Sequence, residues 1–165
     1  DEVFCFSYYP GVELPIHNAN LLAAAFVARV ARLTDEPAWF EPISAAVRYT
    51  LQDQQPDGSW FYADTETQRW IDSFHTGFNL QAIRYMLDAG LAGEYEPAYR
   101  RGVEYYAKNF FLPDGTPKYY HDRVYPIDIH APAQAICFFS LEGGKLGDAA
   151  QEIVIWTLEI GRAHV

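Results

Sequence analysis

Asp72 and His75 stand three residues apart in the stretch Trp70-Ile71-Asp72-Ser73-Phe74-His75-Thr76-Gly77-Phe78-Asn79, where an apolar segment begins. A carboxylate at that distance orients an imidazole, fixes its tautomer and raises its basicity. The arrangement returns as Tyr125-Pro126-Ile127-Asp128-Ile129-His130-Ala131-Pro132-Ala133-Gln134, and in weaker form as His17-Asn18-Ala19-Asn20. Two acids facing one opening are suited to serve as general acid and base on a sugar. If they also sit at helix N-termini, those ends favour an ionised carboxylate and a bound anion such as a uronate. Asp72, His75, Asp128 and His130 are therefore the candidate catalytic residues. His17, Asn18, Trp70, Asn79, Tyr125 and Gln134 are the candidate substrate-binding residues. An architectural reading stays open beside this one: the acids cap helices, the histidines bond to the loops, and repetition at equivalent places fits that role.

The histidines recur 58 and 55 residues apart, which is the signature of a repeat built on a helical hairpin. Leu21, Leu22, Ala25, Val30 and Leu33 predict a slim, mostly buried helix over 19–33, with Asn18 as its N-cap. Asp35 and Pro37 start an amphipathic helix through Gln52. Pro56-Asp57-Gly58 is a turn, and Ser59–Tyr62 with Thr67–Trp70 are expected to form a short β-hairpin. A buried helix over 74–89, closed by Gly90, and an amphipathic one over 96–109 follow. Asp114-Gly115 repeats the turn, and Lys118–Tyr120 with Arg123–Tyr125 repeat the hairpin. A third buried helix runs to about Leu141, Gly143-Gly144 breaks it, and Asp148–Glu159 is the third outer helix. The expected fold is all-α: repeated α/α hairpins forming part of an α/α toroid, with short β-hairpins between repeats. In a ring of such units the inner-helix N-termini open at one mouth, so the motif histidines converge there.

Charge and composition narrow the function. A net charge of −10 without a basic cluster argues against nucleic acid and anionic membranes. No apolar run reaches the length of a membrane span, and no signal peptide is in view, so a cytoplasmic location is expected. Aromatic residues make up 16% of the chain; Trp60, Tyr62, Trp70, Tyr119, Tyr120 and Tyr125 flank the motifs, and such rings suit the apolar face of a pyranose. Cys5 and Cys137 read as buried free thiols. A zinc set of His17, His75 and His130 with Asp72 or Asp128 has no known spacing signature, and no metal or cofactor is expected. Residues 1–158 are read as a single toroid fragment of three hairpins. The tail Glu159–Val165, His164 included, resembles a translated sequencing adapter and is set aside as non-native.

With this order of elements the chain resembles the α/α toroid proteins. One branch is the six-hairpin glycosidase-like group, which includes unsaturated glucuronyl hydrolases and sugar epimerases. The other is the terpenoid cyclase and protein prenyltransferase toroid. Gln54-Gln55-Pro56-Asp57-Gly58-Ser59-Trp60 matches the Q-x-x-x-G-x-W repeat of squalene-type cyclases, a structural motif in that family. The D-x-D-D cyclase motif and the prenyltransferase zinc set have no counterpart here, since Asp128-Ile129-His130 lacks the cysteine. Trp70–Gly77 and Tyr120–Ala135 look like uncharacterised toroid proteins of surface-polysaccharide gene clusters. The resemblance implies a saccharide substrate or ligand, a lyase, hydrolase or epimerase reaction if the protein is an enzyme, and further hairpins that complete the ring. Its alternatives are a non-catalytic saccharide-binding scaffold and an isoprenoid-binding protein.

Overall fold

A computed structural model describes residues 3–91 and 93–162. Among the described residues six α-helices carry the fold: α1 (His17–Thr34), α2 (Phe40–Gln52), α3 (Ser73–Ala89), α4 (Glu96–Asn109), α5 (His130–Glu142) and α6 (Gly144–Arg162). α1 packs on α3 and α3 on α5, while α2, α4 and α6 each pack on the preceding helix. The architecture is therefore a row of inner helices backed by outer ones, as the alternation of alanine-rich and amphipathic segments predicts.

Local chemistry explains most boundaries. Gly90 closes α3 in the left-handed region (φ 108°), donating its N–H to the carbonyls of Leu87 and Met86. Pro97 sits in the first turn of α4, where its missing N–H costs nothing. Gly143 and Gly144 both take positive φ and turn the chain from α5 into α6. That turn is tight enough for α6 to begin at Gly144, ahead of the expected Asp148. α6 also runs on through Glu159 to Arg162; the rest of the expected non-native tail, Ala163, His164 and Val165, lies outside the described residues.

Several expectations are corrected. Asn18 does not cap α1. The cap position is Ile16, without a side-chain bond, and Asn18 lies inside the helix. Asp35 does not start α2; it ends α1 in the left-handed conformation (φ 56°), which Asp tolerates better than most residues. The β-hairpins do not form as ladders. Tyr62 N–H to Trp70 O (2.8 Å) and Ala63 N–H to Gln68 O (3.4 Å) hold the first loop. The second keeps an isolated bridge between Tyr120 and Arg123. Cys137 is exposed and Cys5 half-buried, so neither is the enclosed thiol expected. α1 is not buried on most sides, since Phe26 and Leu33 are exposed.

The glutamine–tryptophan motif fastens one repeat to the next. Trp60 is buried and donates its indole N–H to Thr50 O (3.0 Å) at the end of α2. Gln54 Nε2 donates to Gly58 O (3.1 Å) and to Ala98 O on α4 (2.9 Å), and Arg101 donates to Gln54 Oε1 (2.9 Å). Gly58 and Gly102 are required by contact: a Cβ on the first would meet Arg101 O at 2.4 Å, and one on the second the Trp60 ring at 2.8 Å.

Candidate functional site

The starts of the three inner helices lie at one end of the molecule. Ile16, just before α1, bridges Ala63 in the loop leading to α3. Asp72, just before α3, bridges Tyr120 in the loop leading to α5, and Ser73 N–H donates to Tyr119 O (2.8 Å). The ring of Phe74 makes edge contacts with both His75 (5.1 Å between centroids) and His130 (5.4 Å). The two strong motifs, 55 residues apart in sequence, thus meet around one phenylalanine.

Asp72 is the N-cap of α3, with extended backbone angles (φ −122°, ψ 159°). Its Oδ1 accepts the His75 backbone N–H at 2.8 Å, the bond expected at the third helical position. That geometry folds the imidazole back over the cap, with His75 Nδ1 3.0 Å and 2.8 Å from the two carboxylate oxygens. Trp70 Nε1 donates to Oδ2 at 2.9 Å. The Asp72 side chain is fully enclosed, whereas that of His75 is 22% exposed. Nδ1 is therefore the protonated nitrogen facing the carboxylate. Nε2 has no protein partner among the described residues and is left with a free lone pair.

Aromatic rings frame the imidazole. Tyr62 stacks on Trp70 (4.7 Å, 12° between planes) and lies 4.4 Å from the His75 ring. Burial, then the neighbouring Tyr8, Asp72 and Tyr9, push the Tyr62 hydroxyl above its usual range. Burial, then Asp72, Tyr120, Asp128 and Tyr62, do the same for Tyr119, which sits between the two acids. Both phenols thus remain neutral hydrogen-bond donors.

The second motif is looser. Asp128 Oδ1 accepts the N–H groups of His130 (2.9 Å) and Ala131 (3.1 Å). Its Oδ2 is 3.5 Å from His130 Nδ1, and the two side chains are 38% and 67% exposed. Tyr125 is exposed in the loop before it.

The remaining candidates separate. His17 is 1% exposed, close to Thr50 Oγ1 (Nδ1, 3.4 Å) and Asp53 Oδ2 (Nε2, 3.5 Å). Burial, only partly opposed by Asp64, lowers its pKa to about 4, so it is neutral. Asn18 Oδ1 and Asn79 Oδ1 are enclosed without a hydrogen-bond partner. Asn79 lies one turn beyond His75 on the same face of α3. Gln134 is buried and spends its amide on Gln81 Oε1 of α3 (2.7 Å), against Gly77. Among the described residues no group of three or more His, Cys, Asp and Glu gathers as a metal site. No helix described is long and apolar enough to cross a membrane.

Sequence reasoning passed over Phe74, although its place beside His75 was a signal. It also passed over Asp53 and Asp64, whose closeness to His17 arises only from tertiary packing. A cavity of about 710 Å³ lies at the far end between α5 and α6, away from the histidines.

Fold and site together define an all-α protein of successive helical hairpins, with polar and aromatic side chains gathered where the inner helices begin. No protein-family model matches the chain, and no curated protein matches it. Among solved structures it is similar to a polysaccharide lyase, with a TM-score of 0.53 and 19% identity over 73% of this chain. The match spans 36% of the lyase chain, and at that identity the likeness is one of fold.

Proposed function

We propose that the chain is part of a carbohydrate-active α/α toroid, and that a saccharide meets it where α3 and α5 begin. The observation that carries the reading is the His75 imidazole held by both oxygens of the enclosed Asp72, with Nε2 free at a surface lined by tyrosines. In this reading His75 Nε2 is the atom that takes or gives a proton. Asp72 has no surface for a sugar to touch and acts as a positioning residue, holding the tautomer and stabilising the imidazolium that forms. His130 and Asp128, on the other side of Phe74, are exposed enough to contact substrate and supply the second acid–base group. Tyr62, Trp70 and Tyr119 offer ring faces and neutral hydroxyls to a pyranose. The positive dipole ends of α3 and α5 favour an anionic sugar such as a uronate. The polysaccharide-lyase likeness supports the carbohydrate context, and lyase, hydrolase and epimerase chemistry each need such a proton-transfer pair.

The enclosure of Asp72 favours a second reading, in which the cap is architectural and the rim binds saccharide without turnover. His75→Ala separates the two, because it removes the imidazole and leaves the Asp72 cap to the backbone. The wild-type chain and this variant are assayed on a panel of uronate-containing polysaccharides for unsaturated ends, reducing ends and epimerised product, with thermal melting as control. Turnover lost by at least about a hundredfold with the fold intact supports catalysis by His75. Saccharide binding without turnover in the wild-type chain, retained in the variant, supports the scaffold.

A further inference from the structure

We propose a second binding site: the cavity beneath the 3–15 segment holds a neutral sugar residue of the same saccharide chain that meets His75. This rests on the reading above and extends it. The cavity is about 490 Å³, within the range of ligand pockets, and Cys5, Ser7, Val12, Glu13, Leu14 and Tyr49 line it.

The outer wall is built in advance. Phe6 N–H donates to Asn20 Oδ1 on α1 (2.9 Å), anchoring the segment to the helix. Ser7 Oγ donates to Tyr9 O (2.8 Å), and Leu14 N–H donates to Val12 O (3.0 Å). Ile16 then bridges Ala63, so the wall runs directly into the loop that carries Tyr62.

Its chemistry selects against anions. Glu13 stands at the wall, and Asp53 and Asp64 lie close behind, near enough to act on Tyr49. Burial, then Cys5, Asp53 and Asp64, push the Tyr49 hydroxyl up to about 12; burial and Asp53 push the Cys5 thiol up to about 11. Both remain protonated donors. The Tyr49 hydroxyl has no protein partner among the described residues. The Cys5 thiol and the Ser7 hydroxyl are spent on backbone carbonyls, so the cavity offers the Tyr49 hydroxyl as donor to a sugar oxygen, a carboxylate acceptor for sugar hydroxyls, and a negative field that repels a uronate. The histidine of this repeat, His17, is buried and neutral, so the site binds and does not react.

Position joins the two sites. The cavity lies at the start of α1, His75 at the start of α3, and packed helices are about 8–10 Å apart. A chain spanning them would put an anionic residue at His75 and a neutral one in the cavity. The substrate class is then a heteropolysaccharide that mixes uronate with uncharged sugars, not a homopolyuronate.

Titration calorimetry tests this with hyaluronan and unsulfated chondroitin hexasaccharides, hexagalacturonate, and the hyaluronan and chondroitin disaccharides. Val12→Trp fills the cavity from a half-exposed position that bonds only through its backbone; Tyr49→Phe removes the free hydroxyl and keeps the ring. The expected result is binding of a mixed hexasaccharide at least about tenfold tighter than of hexagalacturonate, with that margin lost in both variants and disaccharide binding unchanged. Hexagalacturonate binding as tightly as the mixed chains, or binding indifferent to both variants, overturns the second site and leaves the His75 reading standing. Failure of the wild-type chain to bind any of these probes overturns both.

Discussion

The two acid–histidine motifs look alike in sequence and differ in what they have become. At α3 the acid precedes the histidine by three residues, so the acid is the cap and the histidine occupies the third helical position, where backbone and ring both reach the carboxylate. At α5 the spacing is two, so Ile129 takes the cap position and Asp128 reaches the helix from one residue further back. The carboxylate serves two backbone N–H groups where Asp72 serves one, but the imidazole is left 3.5 Å away in solvent. One residue of spacing therefore separates a locked dyad from an open, exposed pair. The lesson is that a motif's role follows from which helical position each member occupies, and only secondarily from which residues it contains.

The largest effect that tests this contrast comes from the acids. Asp72→Ala removes a helix cap and leaves the half-buried Trp70 indole and the His75 ring without their acceptor. A loss of about 2–4 kcal/mol is expected in urea unfolding. Asp128→Ala, which loses two backbone bonds but from an exposed side chain, is expected to lose about 1 kcal/mol or less. Equal losses would mean that the two motifs are not different after all.

His17 extends the comparison to the third repeat. Folded, it takes up a proton only near pH 4, against 6.5 when exposed. Between those values the unfolded chain holds the extra proton, so the stability from this group is full above about pH 6.5 and falls as the pH drops toward 4. The fall approaches about 3 kcal/mol at the acid end. Asp53, pushed up by burial and Asp64, works in the opposite sense there. His17→Gln should therefore flatten the curve of unfolding free energy against pH between about pH 7 and pH 4.5. An unchanged slope would show that His17 is protonated in place.

The smallest expected effect is at His130. Its ring is 67% exposed, so His130→Ala should leave stability within about 0.5 kcal/mol of wild type. A larger loss would make the edge contact with Phe74 a structural joint and narrow the gap between the two motifs.

Helices with strong local punctuation were legible in the sequence. α4 matches its expected limits at both ends because Pro97 and the run of charges around the apolar positions leave little choice, and α3 stops where Gly90 requires. The loops were not legible in the same way. Their aromatic alternation reads as strand pairing, but Tyr62 and Trp70 meet by ring stacking and one backbone bond without extending into a ladder, and Trp70 and Tyr120 turn to Asp72. The convergence of the motifs followed from the repeat. The enclosure of Asp72 and the burial of His17 did not, because both depend on neighbours from distant segments: Tyr119 and Tyr120 for one, Thr50, Asp53 and Asp64 for the other.

The seating of Trp60 against Gly102 has a consequence for how the molecule can be taken apart. The loop that follows the first hairpin is keyed into the outer helix of the second, and Gly115 of the next loop lies more loosely against Glu152 of α6. Each unit thus carries the latch of its successor. A cut made between hairpins would strip one side of its bolt and the other of its socket. Segments designed for transplantation or recombination should begin and end within the outer helices, upstream of each latch, so that every exchanged piece brings both halves of its fastening.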